Sequence, residues 1–167
     1  RSGDGSFDFV ETHFPGVRAI QADRNLGYAG GLNLGMAAAS GSYVFGLNPD
    51  VRLHAGWVDE MVGALDDDRI GVVGCRLLYP DGRIQHAGGV LHWPRAVPDH
   101  RGYREADDKR WDDVADVDYV TGAAWGFRRS LVHAIGFLDD AFWPGYYEEV
   151  DFCFRAKKAG YRVVYSP

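Results

Sequence analysis

Apolar and polar positions along the 167-residue chain switch repeatedly between two periods. Apolar runs of strand length fall at Val17–Ala22, Tyr43–Leu47, Ile70–Leu78, Ile84–Leu91, Asp118–Phe127 and Tyr161–Tyr165. The run from Ile70 is almost continuously apolar, as in strands buried on both faces. Between the runs lie segments with helical spacing: Ser6–His13, Tyr28–Ala39, Gly56–Leu65, Arg129–Ile135 and a stretch that begins at Glu148. In the third of these, Trp57, Met61, Ala64 and Leu65 share one side. Gly41 stops the second helix, Asn48-Pro49-Asp50 closes a strand, and Pro80-Asp81-Gly82 is a turn signal. Residues His92–Asp116 are polar and unpatterned, so a long loop is expected there. Strands alternating with helices predict an α/β sheet in one domain.

The bulk numbers narrow this little. Apolar residues make up 46% and charged residues 25%, an ordinary globular balance. A net charge of −6 argues against a nucleic-acid-coating protein, and no nucleic-acid partner is expected. Aromatics reach 14%, which suits either a core or a cleft that stacks on sugar faces. Cys75 and Cys153 have no CxxC partner and read as reduced core thiols of a cytoplasmic protein. No apolar run has the length of a membrane span. His13, His54, His86, His92, His100 and His133 show no ligand spacing, so surface or hydrogen-bonding roles are expected.

Three segments could carry chemistry. In Phe142–Gly160, an aromatic loop leads into an acidic helix start. Glu148, Asp151, Arg155 and Lys158 recur at spacings of three and four, a face that reads as solvated. Glu149 lies off that face, in line with Phe152, Cys153, Ala156 and Ala159. A carboxylate heading an apolar stripe and stabilised by a helix N-terminus can act as a general base. It can equally be an acid that only caps, and this segment alone favours the cap. Asn48-Pro49-Asp50 follows a strand, where ligands of α/β sheets bind, and an acid there can hold a hard divalent cation on a diphosphate. On its own it is more simply a turn. Asn25–Gly35 is glycine-rich and opens a helix, which suits a phosphate, a ribose or plain close packing.

Together these stretches resemble the family-2 inverting glycosyltransferases with the GT-A fold, above all their rhamnosyltransferase-like bacterial branch. The likeness is carried, in the family's order, by Asp4-Gly-Ser6, Asn25-Leu-Gly-Tyr-Ala-Gly-Gly31, Leu47-Asn-Pro-Asp-Val51, Gly56-Trp57, the run from Arg76 to Gly89, Thr121-Gly-Ala123, Gly136-Phe-Leu-Asp139 and Glu148–Ala156. The resemblance implies a Rossmann-like mixed sheet flanked by helices, divided into a nucleotide-sugar part (1–91), a variable loop (92–116) and an acceptor and catalytic part (117–167).

It also implies sites. Asp50 takes the place of the metal-binding acid, with Mg²⁺ or Mn²⁺ as cofactor. Asp4, Asn25, Gly30, Gly31, Asn48 and Asp50 bind the donor. Gly122, Ala123, Trp143, Tyr146, Tyr147 and Glu148 line the acceptor side. Glu149 is the base and Asp151 its fallback. The sequence departs from the family in three respects: Glu149 stands where Asp is usual, Leu32 stands where Asn is frequent, and the family's opening strand and closing histidine segment have no counterpart here. The chain is therefore expected to be an internal fragment of a catalytic domain, inactive by itself. The implied activity is inverting transfer of a hexose or deoxyhexose from a nucleoside-diphosphate sugar to a saccharide or lipid-linked acceptor, in cell-surface polysaccharide or glycolipid synthesis. Such a protein is expected in the cytoplasm, peripherally attached at the inner face of the membrane and able to pair as a homodimer. A nucleotidyltransferase and a noncatalytic carbohydrate-binding domain are the alternatives.

Overall fold

The computed structural model describes residues 3–167. Arg1 and Ser2 lie outside the described residues. The elements run in the order α1 (Ser6–His13), α2 (Gly27–Ala38), β1 (Tyr43–Leu47), α3 (Trp57–Leu65), β2 (Ile70–Cys75), β3 (Leu77–Leu78), β4 (Ile84–His86), β5 (Gly89–His92), β6 (Val97–His100), β7 (Ala115–Asp116), β8 (Ala124–Arg128), α4 (Arg129–Ile135), α5 (Glu148–Lys158) and β9 (Arg162–Ser166). Two short 3₁₀ turns span Lys109–Trp111 and Asp140–Phe142.

Five strands form a mixed sheet in the order β1-β8-β2-β9-β7. β8 runs antiparallel to both β1 and β2, β9 runs parallel to β2, and β7 closes the edge antiparallel to β9. Alternation along β2 divides the core. Val72 faces a cluster with Trp125, Phe127, Phe152 and Cys153, whereas Val73 faces Met61, Leu65 and Val164. Helices α2, α4 and α5 cover the first face and α3 the second. Trp125, Phe127 and Phe152 pack ring against ring at centroid distances of 4.9–5.5 Å. Both cysteines are free and buried.

Several expected elements differ from those observed. Val17–Ala22 forms no strand. Val17 and Ile20 are exposed there, and no neighbouring strand pairs with their backbone among the described residues. The long apolar run breaks at Arg76, whose guanidinium turns out to Asp107 (2.7 Å) and Asp112 (3.0 Å). The run from Ile84 splits at Ala87-Gly88, where Gly88 has φ of +85°. Its halves enter two separate ribbons, β3-β4 and β5-β6. Residues 92–116 are not a structureless loop. They hold β6, a 3₁₀ turn and β7, ordered by ion pairs that a hydrophobicity pattern does not register, such as Arg110 with Glu105 and Asp108. The strand expected from Asp118 begins only at Ala124, because residues 121–123 turn to meet a cleft.

Candidate active site

At the carboxyl ends of β1, β2 and β9 lies an open cleft of about 410 Å³. Open α/β sheets place ligands on this side. Its walls come from four parts of the chain: Tyr28 at the start of α2, Asn48 just past β1, Thr121-Gly122-Ala123 before β8, and Pro144-Gly145-Tyr146 leading to Glu148 and Glu149 at the start of α5.

Backbone anchors fix the 121–123 wall. Asn48 donates its N–H to the Ala123 carbonyl at 2.8 Å. Tyr28 donates its hydroxyl to the Gly122 carbonyl at 2.5 Å and accepts from Trp125 Nε1 at 3.1 Å. Burial pushes the Tyr28 phenol well above its ordinary range, so it works as a neutral hydrogen-bonding strut. Tyr28 N–H also donates to the Pro144 carbonyl at 3.0 Å. Beside it, Gly27 has φ of +70°, and a Cβ there would come within 2.7 Å of that carbonyl and 2.8 Å of the Trp143 ring. Only glycine permits this approach.

The acidic helix is entered under backbone strain. Tyr146 and Tyr147 have φ of +81° and +73°, a left-handed region that costs a non-glycine residue on the order of 1–3 kcal/mol. No side chain caps α5. Its first turn carries Glu148, Glu149 and Asp151, whose charge is favoured by the helix N-terminus.

The two glutamates are held in an unusual way. Glu148 is 4% exposed, which corrects the expectation that it shares a solvated face with Asp151. It lines the cleft at the first residue of α5, beside the 144–146 loop and the 121–123 wall. Glu149 is partly buried beside it. One carboxylate oxygen of each residue, Oε2, is buried without a hydrogen-bond partner. Burial raises both carboxyls and pushes Glu149 up to about 7, opposed by backbone N–H groups of residues 149, 150 and 122 and assisted by the neighbouring Glu148 charge. A carboxyl poised near neutrality in a cleft, with an oxygen awaiting a donor, has the properties of a general base.

Asp151 points elsewhere. It pairs with Arg155 at 2.7 Å, and Arg155 also binds the carbonyls of Ile135 (2.5 Å) and Phe137 (2.9 Å). Its role is to tie α5 to the chain after α4. Asp50 is exposed on the turn two residues past Asn48 and outside the immediate cleft wall. Asn25 accepts from Gly27 N–H at 2.9 Å and shapes the turn into α2. Asp4 accepts from the Ser6 hydroxyl (2.7 Å) and N–H (3.0 Å), which hold its carboxyl below the usual range. Gly30 packs against Leu26 and Gly31 faces open space. Trp143, Tyr146 and Tyr147 are exposed, with Tyr146 on the cleft itself. Sequence reasoning missed Tyr28, Pro144 and Gly145 as site residues. Tyr28 was within reach, since it sits inside the glycine-rich segment.

Among the described residues, no group of three His, Cys, Asp or Glu side chains could hold a metal ion unaided. The residues fit Mg²⁺ or Mn²⁺ only as ions shared with a diphosphate, for which one protein carboxylate such as Asp50 is enough.

Comparison with known proteins bears on the whole chain. A family model described as Glycosyl transferase family 2 matches residues 1–136. An uncharacterised protein of Sinorhizobium fredii is 32% identical over 160 residues, covering 90% of this chain and 17% of its own length. The N-acetylglucosaminyl-diphospho-decaprenol L-rhamnosyltransferase of Mycobacterium tuberculosis is 29% identical over 192 residues, covering 99% of this chain and 61% of its own length. Both relatives are thus much longer than the chain. A crystal structure of GalNAc-T7 with UDP, GalNAc and Mn²⁺ superimposes with a TM-score of 0.76 over 98% of this chain and 34% of that one, at 14% identity.

Proposed function

The chain belongs to glycosyl transferase family 2, and from that premise we propose that the protein containing it moves a sugar from a nucleoside-diphosphate donor to an acceptor hydroxyl with inversion. The expected GT-A-type fold is present. One observation carries the assignment of the base: Glu149 lines the cleft with a buried, unpartnered oxygen and a carboxyl raised to about 7.

Glu149 takes the proton of the acceptor hydroxyl as that oxygen attacks the anomeric carbon. The bond from that carbon to the diphosphate oxygen breaks on the opposite face, and the nucleoside diphosphate leaves with the electron pair. Glu148, equally short of a partner, accepts a hydrogen bond from a second acceptor hydroxyl. Tyr28 and Asn48 hold the wall between donor and acceptor. Asp50 would hold a divalent cation that arrives with the diphosphate, and that ion would neutralise charge on the leaving group. Tyr146 offers a ring for the acceptor sugar to stack on.

The rhamnosyltransferase relative supports a hexose or deoxyhexose donor and a saccharide or lipid-linked acceptor in surface glycan synthesis. Such an acceptor would place the protein at the cytoplasmic face of a membrane. No described helix is long and apolar enough to cross one. The test is a screen of the full-length protein for consumption of several nucleoside-diphosphate sugars, with and without Mn²⁺, beside Glu149→Gln. Consumption by the wild type and loss in the variant is the expected result. A wild type that consumes none of them would leave a noncatalytic carbohydrate-binding role.

A further inference from the structure

Among the described residues, two polar side chains are fully buried: Glu148 and, across the cleft wall, His86. His86 is 0% exposed at the end of β4, and the proposed reaction makes no direct use of it. Its Nε2 lies 3.2 Å from the backbone N–H of Thr121. An N–H can only donate, so Nε2 is the unprotonated nitrogen and the ring proton sits on Nδ1. That Nδ1–H points at Nδ1 of His100, 2.7 Å away on β6. His100 therefore accepts at Nδ1 and carries its own proton on Nε2. Tautomers of both rings follow from one backbone donor. The rings of Tyr119 and Tyr103 enclose the pair. Burial, with the His100 and Arg101 charges added, drives His86 down to about 3, so it stays neutral.

What this strut holds is the strand of chain facing the base. Thr121 N–H is bound by His86, the Gly122 carbonyl by Tyr28 and the Ala123 carbonyl by Asn48. The first two of these groups belong to the peptides on either side of Thr121–Gly122, so that peptide is held at both of its ends. Gly122 lines the cleft together with Glu149, and its N–H helps keep that carboxyl from rising further.

We propose that His86, locked by His100, is a positioning residue for the base: by holding Thr121 N–H it fixes the 121–123 wall of the cleft that Glu149 lines. The proposal rests on the assignment of Glu149 above, and its test separates the two. Glu149 is faced by Glu148 and Cys153 on its own helix, Tyr28 on α2 and Tyr119 on the segment before β8. Of these only Tyr119 also packs on His86, and a phenylalanine at 86 leaves it an aromatic neighbour.

His86→Phe keeps the ring but removes the acceptor, His86→Gln restores an acceptor at the same reach, and His100→Phe cuts the second bond at a half-buried site. In the full-length enzyme, His86→Phe should lower kcat by about 10- to 100-fold, the scale of loss when a reacting group is misplaced, while the donor KM stays within about threefold. The acidic limb of its kcat/KM profile should move to higher pH, because a carboxylate that loses an N–H donor becomes harder to ionise. His86→Gln should recover most of the rate, and His100→Phe should show the same limb displacement at smaller size. Nitrogen NMR of the wild type should find the His86 proton on Nδ1. A proton on Nε2, or a His86→Phe enzyme whose acidic limb stays where the wild type has it, overturns the proposal. The NMR arm reads out even in a protein that turns over no donor, which would sink the assigned function instead.

Discussion

Glu149→Gln should make the protein more stable at the same time as it stops the reaction. The carboxyl titrates at 4.5 in an unfolded chain and at about 7 in the fold, because burial disfavours its charge. The folded carboxyl is therefore raised, and between these two values the native state keeps a proton that the unfolded chain has released. Stability falls as pH rises through this window. The cost is absent below 4.5 and complete above 7, where it amounts to about 3 kcal/mol. Glu149 is partly exposed, so that figure is an upper limit. A neutral amide escapes the cost. Thermal melts of the 167-residue chain and its Glu149→Gln variant should differ by roughly 3–10 °C at pH 8, with the variant higher. The gap should close to about 1–2 °C at pH 4.5. Equal melting points at pH 8, or a gain that does not depend on pH, would mean that Glu149 is not a carboxylate held charged against its surroundings. Retention of sugar transfer by the variant would refute its role as base.

Other perturbations test other parts of the cleft. Tyr28→Phe removes one hydroxyl that bonds the Gly122 carbonyl and satisfies the buried Trp125 Nε1; it should cost about 1–3 kcal/mol in denaturant melts, and a loss below about 0.5 kcal/mol would show that the strut carries no load. Gly27→Ala meets both the left-handed backbone and the Pro144 carbonyl, so a destabilisation of about 1–3 kcal/mol is expected and an unchanged melting point would contradict the close approach. Asp50→Asn should abolish dependence on added Mn²⁺ in donor consumption with a melting temperature within about 2 °C of wild type, since the residue is exposed at a strand end; parallel loss of stability and activity would make Asp50 structural.

The hydrophobic periodicity revealed those elements whose burial is complete or one-sided. Tyr43–Leu47 and Arg129–Ile135 have the expected bounds, as has Ser6–His13 although it buries no side chain, and β2 with its uniform burial was legible as a sheet interior. What escaped is built from polar contacts over long separations in sequence. Nothing in the local pattern at Arg76 announces that Asp107 and Asp112 will meet it, so the 92–116 segment read as loop although β6 and β7 lie in it. At the site, Glu149 stood out because it heads an apolar stripe. Glu148 was misread because helical spacing does not show that the 144–146 loop and the 121–123 wall meet the first turn of α5. Asp151 entered as a fallback base through the family resemblance, and the structure pairs it with Arg155. Tyr28 and His86 could not be ranked from sequence: each matters through a backbone group about 35 or more residues away.

The contact between Gly27-Tyr28 and Pro144 joins the glycine-rich segment to the loop that leads into α5 without a side chain between them. Two walls tied at the level of their main chains cannot shift independently. A ligand that draws the α2 start inward also draws the Pro144 loop, and a ligand seated on that loop resists or assists the same displacement. Reciprocity then applies: whatever factor the first ligand applies to the affinity of the second, the second applies to the first. On this geometry the coupling between the two walls rests on a single glycine and the carbonyl it approaches.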